Sequence, residues 1–80
     1  MEKVWILRDI SYETEVRVFH SKENAFKACQ KIVKEYFEIL SRDCSEYLND
    51  LNISYNNYAD KDGFFGCGGL CWCTLEEIED

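Results

Sequence analysis

The sequence predicts an α+β domain in which a three-stranded antiparallel sheet packs against one long helix and a shorter second helix, in the order ββααβ. Residues 13–19 alternate apolar and charged types with the period of two that is typical of a strand with one solvated face. Residues 22–40 repeat apolar types at steps of three and four, as an amphipathic helix does. Eighty residues without a proline or a low-complexity segment favour a single domain spanning 1–80.

The first two elements are predicted to be strands joined as a hairpin. Residues 3–8, KVWILR, form an apolar run rich in β-branched and aromatic types that is short for a helix. Residues 13–19, ETEVRVF, place Val16 and Val18 on one face and Arg17 on the other. The short DISY segment between the runs makes an antiparallel hairpin the economical connection.

Ser21 is expected to cap the long helix that follows. Its hydroxyl is placed to accept a hydrogen bond from the amide of Asn24, which satisfies a free donor of the first turn. One face of the helix is apolar and is expected to pack on the sheet. The residues of this face are Ala25, Phe26, Cys29, Ile32, Val33, Tyr36, Phe37 and Leu40.

A break is predicted near residues 41–43, SRD, before a second helix. The apolar spacing continues to Leu51, but one helix of that length would span roughly 45 Å and overhang strands of about 25 Å. Asp43 and Glu46 have the spacing of a capping box, which favours a short second helix over about 44–50.

The remaining sequence is predicted to form a connector and a last strand. Residues 52–63, NISYNNYADKDG, are rich in turn-forming types and indicate a polar connector. The chain then ends in a strand near residues 70–79, LCWCTLEEIE, and the glycines before it favour a bulge or a tight turn.

The five cysteines are expected to be free thiols. They are Cys29, Cys44, Cys67, Cys71 and Cys73, and their odd number and uneven spacing are not typical of a disulfide framework. On a strand Cys71 and Cys73 would point to one face, as small core residues do. The C-x3-C-x-C spacing lacks the C-x2-C pairs common in structural zinc sites, so no metal or cofactor is expected. A metal-binding or redox site formed by Cys67, Cys71 and Cys73 is the alternative.

Charge and composition argue against several functions. A net charge of −7 disfavours direct binding to nucleic acid, which requires a basic face. No apolar run reaches the roughly 18 residues of a membrane helix, and the N-terminus lacks a signal-peptide pattern, so a cytoplasmic protein is expected. His20 is the sole histidine and no oxyanion-hole or cofactor motif accompanies it, so no enzymatic activity is expected.

Acidic and aromatic residues are the best candidates for a binding site. The carboxylates are expected to converge on one edge of the sheet, where their mutual repulsion would be explained by an interaction with a basic partner. The alternative is that charged edges only prevent aggregation between sheets. Aromatic residues exceed what the predicted core can hide, which indicates exposed anchors for a protein interface or a homodimer. The candidate binding residues are Glu13, Glu15, Glu76, Glu77, Glu79, Tyr58 and Trp72.

The chain resembles small acidic proteins of phages and mobile genetic elements. The similar segments are KVWILRD, EVRVFHSKENAFKAC with its strand and capped helix, and TLEEIED. The segment containing GCGGLCWC departs from that pattern. Many proteins of this kind inhibit bacterial defence nucleases, anti-CRISPR proteins being the best known. The resemblance therefore implies a cytoplasmic inhibitor of a CRISPR effector or another defence nuclease.

The function predicted from the sequence is a non-enzymatic inhibitor or adaptor that binds a basic protein surface. A nuclease channel lined with Lys and Arg for phosphate is one such surface, and a row of carboxylates can occupy it. The alternatives are a small cysteine-based metal-binding or redox protein and a homodimerising structural module.

Overall fold

Two helices pack on one face of a four-stranded antiparallel sheet in the computed structural model, which describes residues 2–10 and 15–78. The order along the chain is ββααββ, and the strand order across the sheet is β2-β1-β4-β3. The elements are β1 (Lys3–Asp9), β2 (Glu15–Phe19), α1 (Lys22–Ile39), α2 (Ser45–Asp62), β3 (Phe64–Cys67) and β4 (Cys71–Glu77). The α+β class is confirmed. The prediction of three strands in the order ββααβ is wrong, because residues Phe64–Cys67 form a fourth strand between α2 and the last strand.

The first two strands pair as an antiparallel hairpin, as predicted. Trp5 lies opposite Phe19 and Asp9 lies opposite Glu15. The predicted start of the second strand at residues 13–14, and the second half of the DISY connection, lie outside the described residues. The long strand β1 is flanked by β2 on one side and by β4 on the other, so it forms the middle of the sheet together with β4.

Helix α1 begins and ends as its sequence predicts. The Ser21 hydroxyl accepts a hydrogen bond from the Asn24 amide at 3.1 Å. The helix ends at Ile39, and Ser41 has a φ of 54°, which reverses the chain within the predicted break. The residues that α1 buries against the sheet and α2 are Ala25, Ala28, Cys29, Ile32, Val33 and Phe37.

Helix α2 is much longer than predicted, because the polar segment 52–63 is helical up to Asp62. Leu51 and Ala59, two turns apart, are 0% and 2% exposed and hold this helix against the core. The Tyr55 ring stacks on Phe26 of α1 with the ring centroids 4.0 Å apart. Packing of these few positions outweighs the weak helix propensity of the Asn, Asp and Ser residues between them.

The ends of α2 are fixed by an acidic side chain and by a glycine. Asp43 accepts hydrogen bonds from the Ser45 amide at 3.0 Å and from the Ser45 hydroxyl at 2.7 Å. The helix itself begins after Cys44, which makes no side-chain cap bond, so the predicted start of the helix is correct to one residue. Gly63 ends the helix in the left-handed conformation with a φ of 65°, which glycine adopts at little cost.

Strand β3 turns back along β4 through the glycines that the sequence indicated as a tight turn. Phe65 lies opposite Cys73, and Cys67 lies opposite Cys71. Gly69 in the connecting turn has a φ of 83°. Strand β3 is also tied to α2, since the Gly66 amide donates a hydrogen bond to the Ser54 hydroxyl at 3.1 Å.

The core lies between the helices and one face of the sheet. The strand residues that face it are Trp5, Leu7, Phe65, Cys67, Cys71 and Cys73, each at most 5% exposed. Both helices therefore cover the same face of the sheet. Within residues 2–10 and 15–78, neither helix has the length and apolar character needed to cross a membrane.

Replacing Leu51 by Ala tests whether α2 is part of the folded core. We expect Leu51→Ala to lower the free energy of unfolding by about 2–5 kcal/mol, because it empties a fully buried site. Ile53→Ala on the same helix removes a side chain that is 49% exposed and should change stability by less than about 1 kcal/mol. Urea unfolding of both variants measures the difference. Equal effects would mean that α2 does not pack as described.

Candidate protein-binding surface

The face of the sheet that points away from the helices is called the open face. Its side chains alternate with those of the core along each strand. Val16, Val18 and Phe64 on this face are 57%, 55% and 43% exposed, which is high for large apolar residues. The residues of the open face are Val4, Ile6, Arg8, Val16, Val18, Phe64, Gly66, Trp72, Thr74 and Glu76.

A hydrogen-bonded group of three side chains lies in the middle of the open face. The Arg8 guanidinium donates to the Thr74 hydroxyl at 3.0 Å and to the Glu76 carboxylate at 3.1 Å. The Thr74 hydroxyl donates to the same carboxylate oxygen at 2.7 Å. The Thr74 hydrogen bond and Arg8 lower the pKa of Glu76, so this carboxylate is held in one orientation and stays ionised.

A shallow apolar groove of about 310 Å³ lies beside this group, between Phe64 and Trp72. Gly66 forms part of its floor, and the groove ends at the turn after Cys67. A Cβ atom at Gly66 would lie 2.6 Å from the Trp72 Cβ and 2.9 Å from the Cys71 carbonyl oxygen, which is closer than real contacts allow. The groove therefore depends on a glycine opposite the tryptophan.

The two predicted aromatic anchors lie in different layers of the fold, Trp72 on the sheet and Tyr58 on α2. Trp72 is half-buried and forms one wall of the groove. Tyr58 on α2 is 47% exposed. It lies one turn after Ser54, the residue bonded to the β3 edge, so Tyr58 faces the same edge. Phe64 is not among the binding residues predicted from the sequence. It forms the other wall of the groove because β3, which it begins, pairs with β4.

The predicted acidic residues do not all come together. Glu13 and Glu79 lie outside the described residues. Glu15 pairs with Asp9 at one end of β1, whereas Glu77 pairs with Lys3 at the other end. Six residues of strand separate these positions, which is roughly 20 Å. The structure therefore separates Glu15 from Glu76 and Glu77, contrary to the expected convergence of the carboxylates.

A smaller group of acidic residues forms at one end of the sheet and is called the acidic end. It consists of Glu2, Glu76 and Glu77, and the alternation along β4 turns the Glu77 side chain away from the open face on which Glu76 lies. The backbone of Glu2 joins the group because its carbonyl accepts a hydrogen bond from the Ile78 amide at 2.9 Å. The Glu2 carboxylate contacts the exposed His20 ring at 2.9 Å. The pairing of β1 with β4 places Glu2, which precedes the first strand, at the same end of the sheet as Glu76 and Glu77.

Four of the five cysteines lie in the core. Cys29, Cys67, Cys71 and Cys73 are each at most 2% exposed, and Cys44 is half-buried. Cys71 and Cys73 face α1, the orientation that the alternation along β4 predicts. Among the described residues, no group of three or more His, Cys, Asp or Glu side chains is arranged to hold a metal ion.

Burial favours the protonated form of three of these thiols, Cys29, Cys67 and Cys71. Desolvation raises the pKa of Cys67 to about 11. The hydrogen bond with Cys29, together with burial, raises the pKa of Cys71. For Cys29 the contact with Cys71 lowers the pKa, but the Cys73 thiol and burial outweigh it and the net shift is upward. Because the thiolate is the reactive form, Cys29, Cys67 and Cys71 are poor nucleophiles at neutral pH.

The raised thiol pKa values predict a loss of stability at alkaline pH. The pKa of Cys67 is about 11 in the folded chain against an ordinary value of 9.0, so the unfolded state releases its proton first. The stabilising contribution is complete below pH 9.0 and is lost as the pH rises through about 11. Urea midpoints at about pH 7 and about pH 10.5 should therefore differ, and Cys67→Ala should reduce the difference. Identical midpoints would contradict this account.

Replacing Gly66 by Ala tests the basis of the groove. The added methyl group would meet the Cβ and backbone of Trp72, so we expect a loss of about 1–3 kcal/mol in the free energy of unfolding. Gly68→Ala is the matched control, because nothing lies within 4 Å of its Cβ position. Trp fluorescence should shift only in the Gly66→Ala variant. A stable Gly66→Ala protein with unchanged fluorescence would contradict the described groove.

Comparison with known proteins identifies no relative of this chain. No family model matches the sequence, and no curated protein or solved structure matches it. Function is therefore inferred from the charges and the geometry of the chain itself.

Proposed function

We propose that this protein is a non-enzymatic inhibitor or adaptor that binds a basic surface of another protein. The observation that carries the proposal is the open face, where exposed apolar residues lie next to a fixed carboxylate. Trp72 and Glu76 lie on the same face of β4, four residues apart, which is roughly 13 Å. One partner surface could therefore contact the aromatic groove and the acidic end together.

The aromatic part of the surface supplies the means of anchoring. Trp, Tyr and Arg side chains dominate the energetics of protein interfaces because they bury a large area with few rotatable bonds. Phe64 and Trp72 form a preformed groove rather than a flat patch. An apolar or cationic side chain of a partner can insert between these two rings, and Arg and Lys also gain cation–π attraction there.

The acidic part of the surface supplies selectivity for a basic partner. The chain carries sixteen acidic against nine basic residues. Glu76 needs no reorganisation on binding, because Thr74 and Arg8 already hold its carboxylate. The negative electrostatic field of these acidic residues accelerates association with basic proteins, and it repels acidic proteins and nucleic acid. The same field favours a protein surface that normally binds phosphate.

The resemblance to small acidic phage proteins suggests the kind of partner. A nucleic-acid-binding effector, such as a CRISPR nuclease or another defence nuclease, presents channels of Lys and Arg for the phosphate backbone. In this narrower proposal the chain acts in the cytoplasm of the bacterial host and competes with nucleic acid for such a channel. The partner-binding residues proposed are Glu76, Glu77, Trp72 and Tyr58, together with Glu13 and Glu79.

A second candidate function is homodimerisation through the open face. Val16 and Val18 on the edge strand β2 are more than half exposed, and a second copy would bury them. Light scattering of the purified protein tests this candidate, because a chain that stays monomeric cannot bury Val16 and Val18 against a second copy.

Charge reversal at the acidic end tests the proposed function. We expect Glu76→Lys combined with Glu77→Lys to lower the association rate with basic partners captured from a bacterial lysate by at least about ten-fold at low salt. Wild-type association should itself fall as ionic strength rises. The measurement is surface-based binding kinetics with each captured protein at low and high salt.

The matched control is Glu38→Lys combined with Glu46→Lys, two exposed positions on the helices. This pair changes the net charge by the same amount but leaves the acidic end intact. Equal losses in both double variants would show that net charge alone governs binding. Salt-insensitive capture would overturn the proposal.

A further inference from the structure

Two buried thiols from distant parts of the chain lie almost within bonding distance. Cys29 on α1 and Cys73 on β4 are 44 residues apart, and their Sγ atoms are 3.3 Å apart. A disulfide bond is about 2 Å long, so an approach of little more than about 1 Å would be needed to form one. Both residues are 0% exposed. Neither of them lies in a loop, since Cys29 belongs to α1 and Cys73 belongs to β4.

The other cysteines are less well placed for a bond. The Cys71 thiol contacts the Cys29 side chain as well, and it points to the carbonyl oxygen of Cys29 at 4.0 Å. Cys67 lies opposite Cys71 in the β3–β4 pairing, and its own thiol points to the carbonyl oxygen of Tyr47 at 3.8 Å. The half-buried Cys44 precedes α2. Cys71 is therefore the competitor for Cys29, and Cys73 is the partner whose sulfur lies 3.3 Å from the Cys29 sulfur.

We propose that Cys29 and Cys73 form a latent disulfide site, which closes when the chain folds in the presence of a low-molecular-weight disulfide oxidant. Closure joins α1 to the central strand β4 and leaves the open face unaltered. This inference is independent of the proposed binding function, because neither sulfur lies on the open face.

The chemistry of closure is two successive thiol–disulfide exchanges. One cysteine, as its thiolate, attacks oxidised glutathione, forms a mixed disulfide and releases one glutathione thiolate. The second cysteine loses its proton, attacks the protein sulfur of the mixed disulfide and releases the second glutathione. The two protein thiols are oxidised, one glutathione disulfide is reduced to two thiols, and the cysteine protons pass to the released glutathione.

Burial determines when these exchanges occur. Glutathione cannot reach residues that are 0% exposed, so the first exchange takes place while the chain is unfolded or opened. Partial folding then brings α1 against β4, so that the second sulfur displaces glutathione before the core closes, which favours the Cys29–Cys73 bond over the alternatives. The same burial protects the finished disulfide, because a reducing thiol cannot reach the two sulfurs while the chain is folded.

The closed form should be the more stable one. A bond between residues 44 positions apart closes a long loop and reduces the conformational freedom of the unfolded chain. For a chain of this size we expect the thermal midpoint to rise by about 10 °C or more. A strained bond would instead lower the midpoint, which makes the sign of the shift informative.

Refolding in a glutathione redox buffer tests the proposal. Wild-type protein is unfolded in urea and refolded with oxidised and reduced glutathione, then alkylated and analysed by mass spectrometry. We expect the loss of two hydrogen atoms and a tryptic crosslink between residues 28–31 and residues 62–80. Native reduced protein incubated in the same buffer without urea should remain reduced over the same time.

Single variants assign the bond within residues 62–80. Cys73→Ala and Cys29→Ala should abolish the crosslink and the rise in thermal midpoint, whereas Cys71→Ala and Cys67→Ala should keep both. Tandem mass spectrometry of the wild-type crosslink gives the same assignment without a variant, so a variant that fails to fold does not prevent the test. A bond from Cys29 to Cys71, a bond from Cys67 to Cys71, or no crosslink would overturn the proposal. A crosslinked protein that melts at a lower temperature would overturn it as well.

Discussion

The close contact between α1 and β4 is the constraint from which the rest of the structure follows. The side chains that meet there are small: Ala25 and Cys29 on the helix, Cys71 and Cys73 on the strand. The Cys73 and Cys71 sulfurs reach the helix carbonyl oxygens of Ala25 and Cys29, each at 4.0 Å. Larger residues would hold the helix off the sheet and leave Phe65 and Leu7 without cover. Because this contact fixes which face of β4 points inward, it also fixes Trp72 and Glu76 on the outside.

How far the sequence predicts the fold depends on how strongly each element is patterned. Helix α1 has a cap and a continuous apolar stripe, and it is predicted almost to the residue. Helix α2 buries only Leu51 and Ala59 fully, and its polar residues are typical of turns. The sequence of its second half therefore predicts a connector instead of a helix. Its helical state comes from the Tyr55–Phe26 stacking and from Ser54, which are tertiary contacts invisible to local propensity. Strand β3 has four residues and no alternation to detect.

The candidate site is predictable only where it depends on alternation along a single strand. Trp72 and Glu76 follow from the period of two in β4. Phe64, Gly66 and Arg8 belong to the surface because of pairings between distant strands, which no local pattern specifies. The distance between Glu15 and Glu77 likewise depends on register. A count of acidic residues therefore indicated the chemistry of the surface but not its place.

The two edges of the sheet differ, and this difference limits how the protein can aggregate. Helix α2 lies at the β3 edge, where the Ser54 hydroxyl accepts a hydrogen bond from the Gly66 amide. At the other edge, β2 has a strand neighbour on one side only among the described residues. Strand addition from another molecule can therefore extend the sheet in one direction alone. Two molecules joined through β2 would present only covered β3 edges, so the chain would form a closed pair rather than a fibre. The hydroxyl of one helix serine thus occupies a backbone donor that a strand added at the β3 edge would otherwise need.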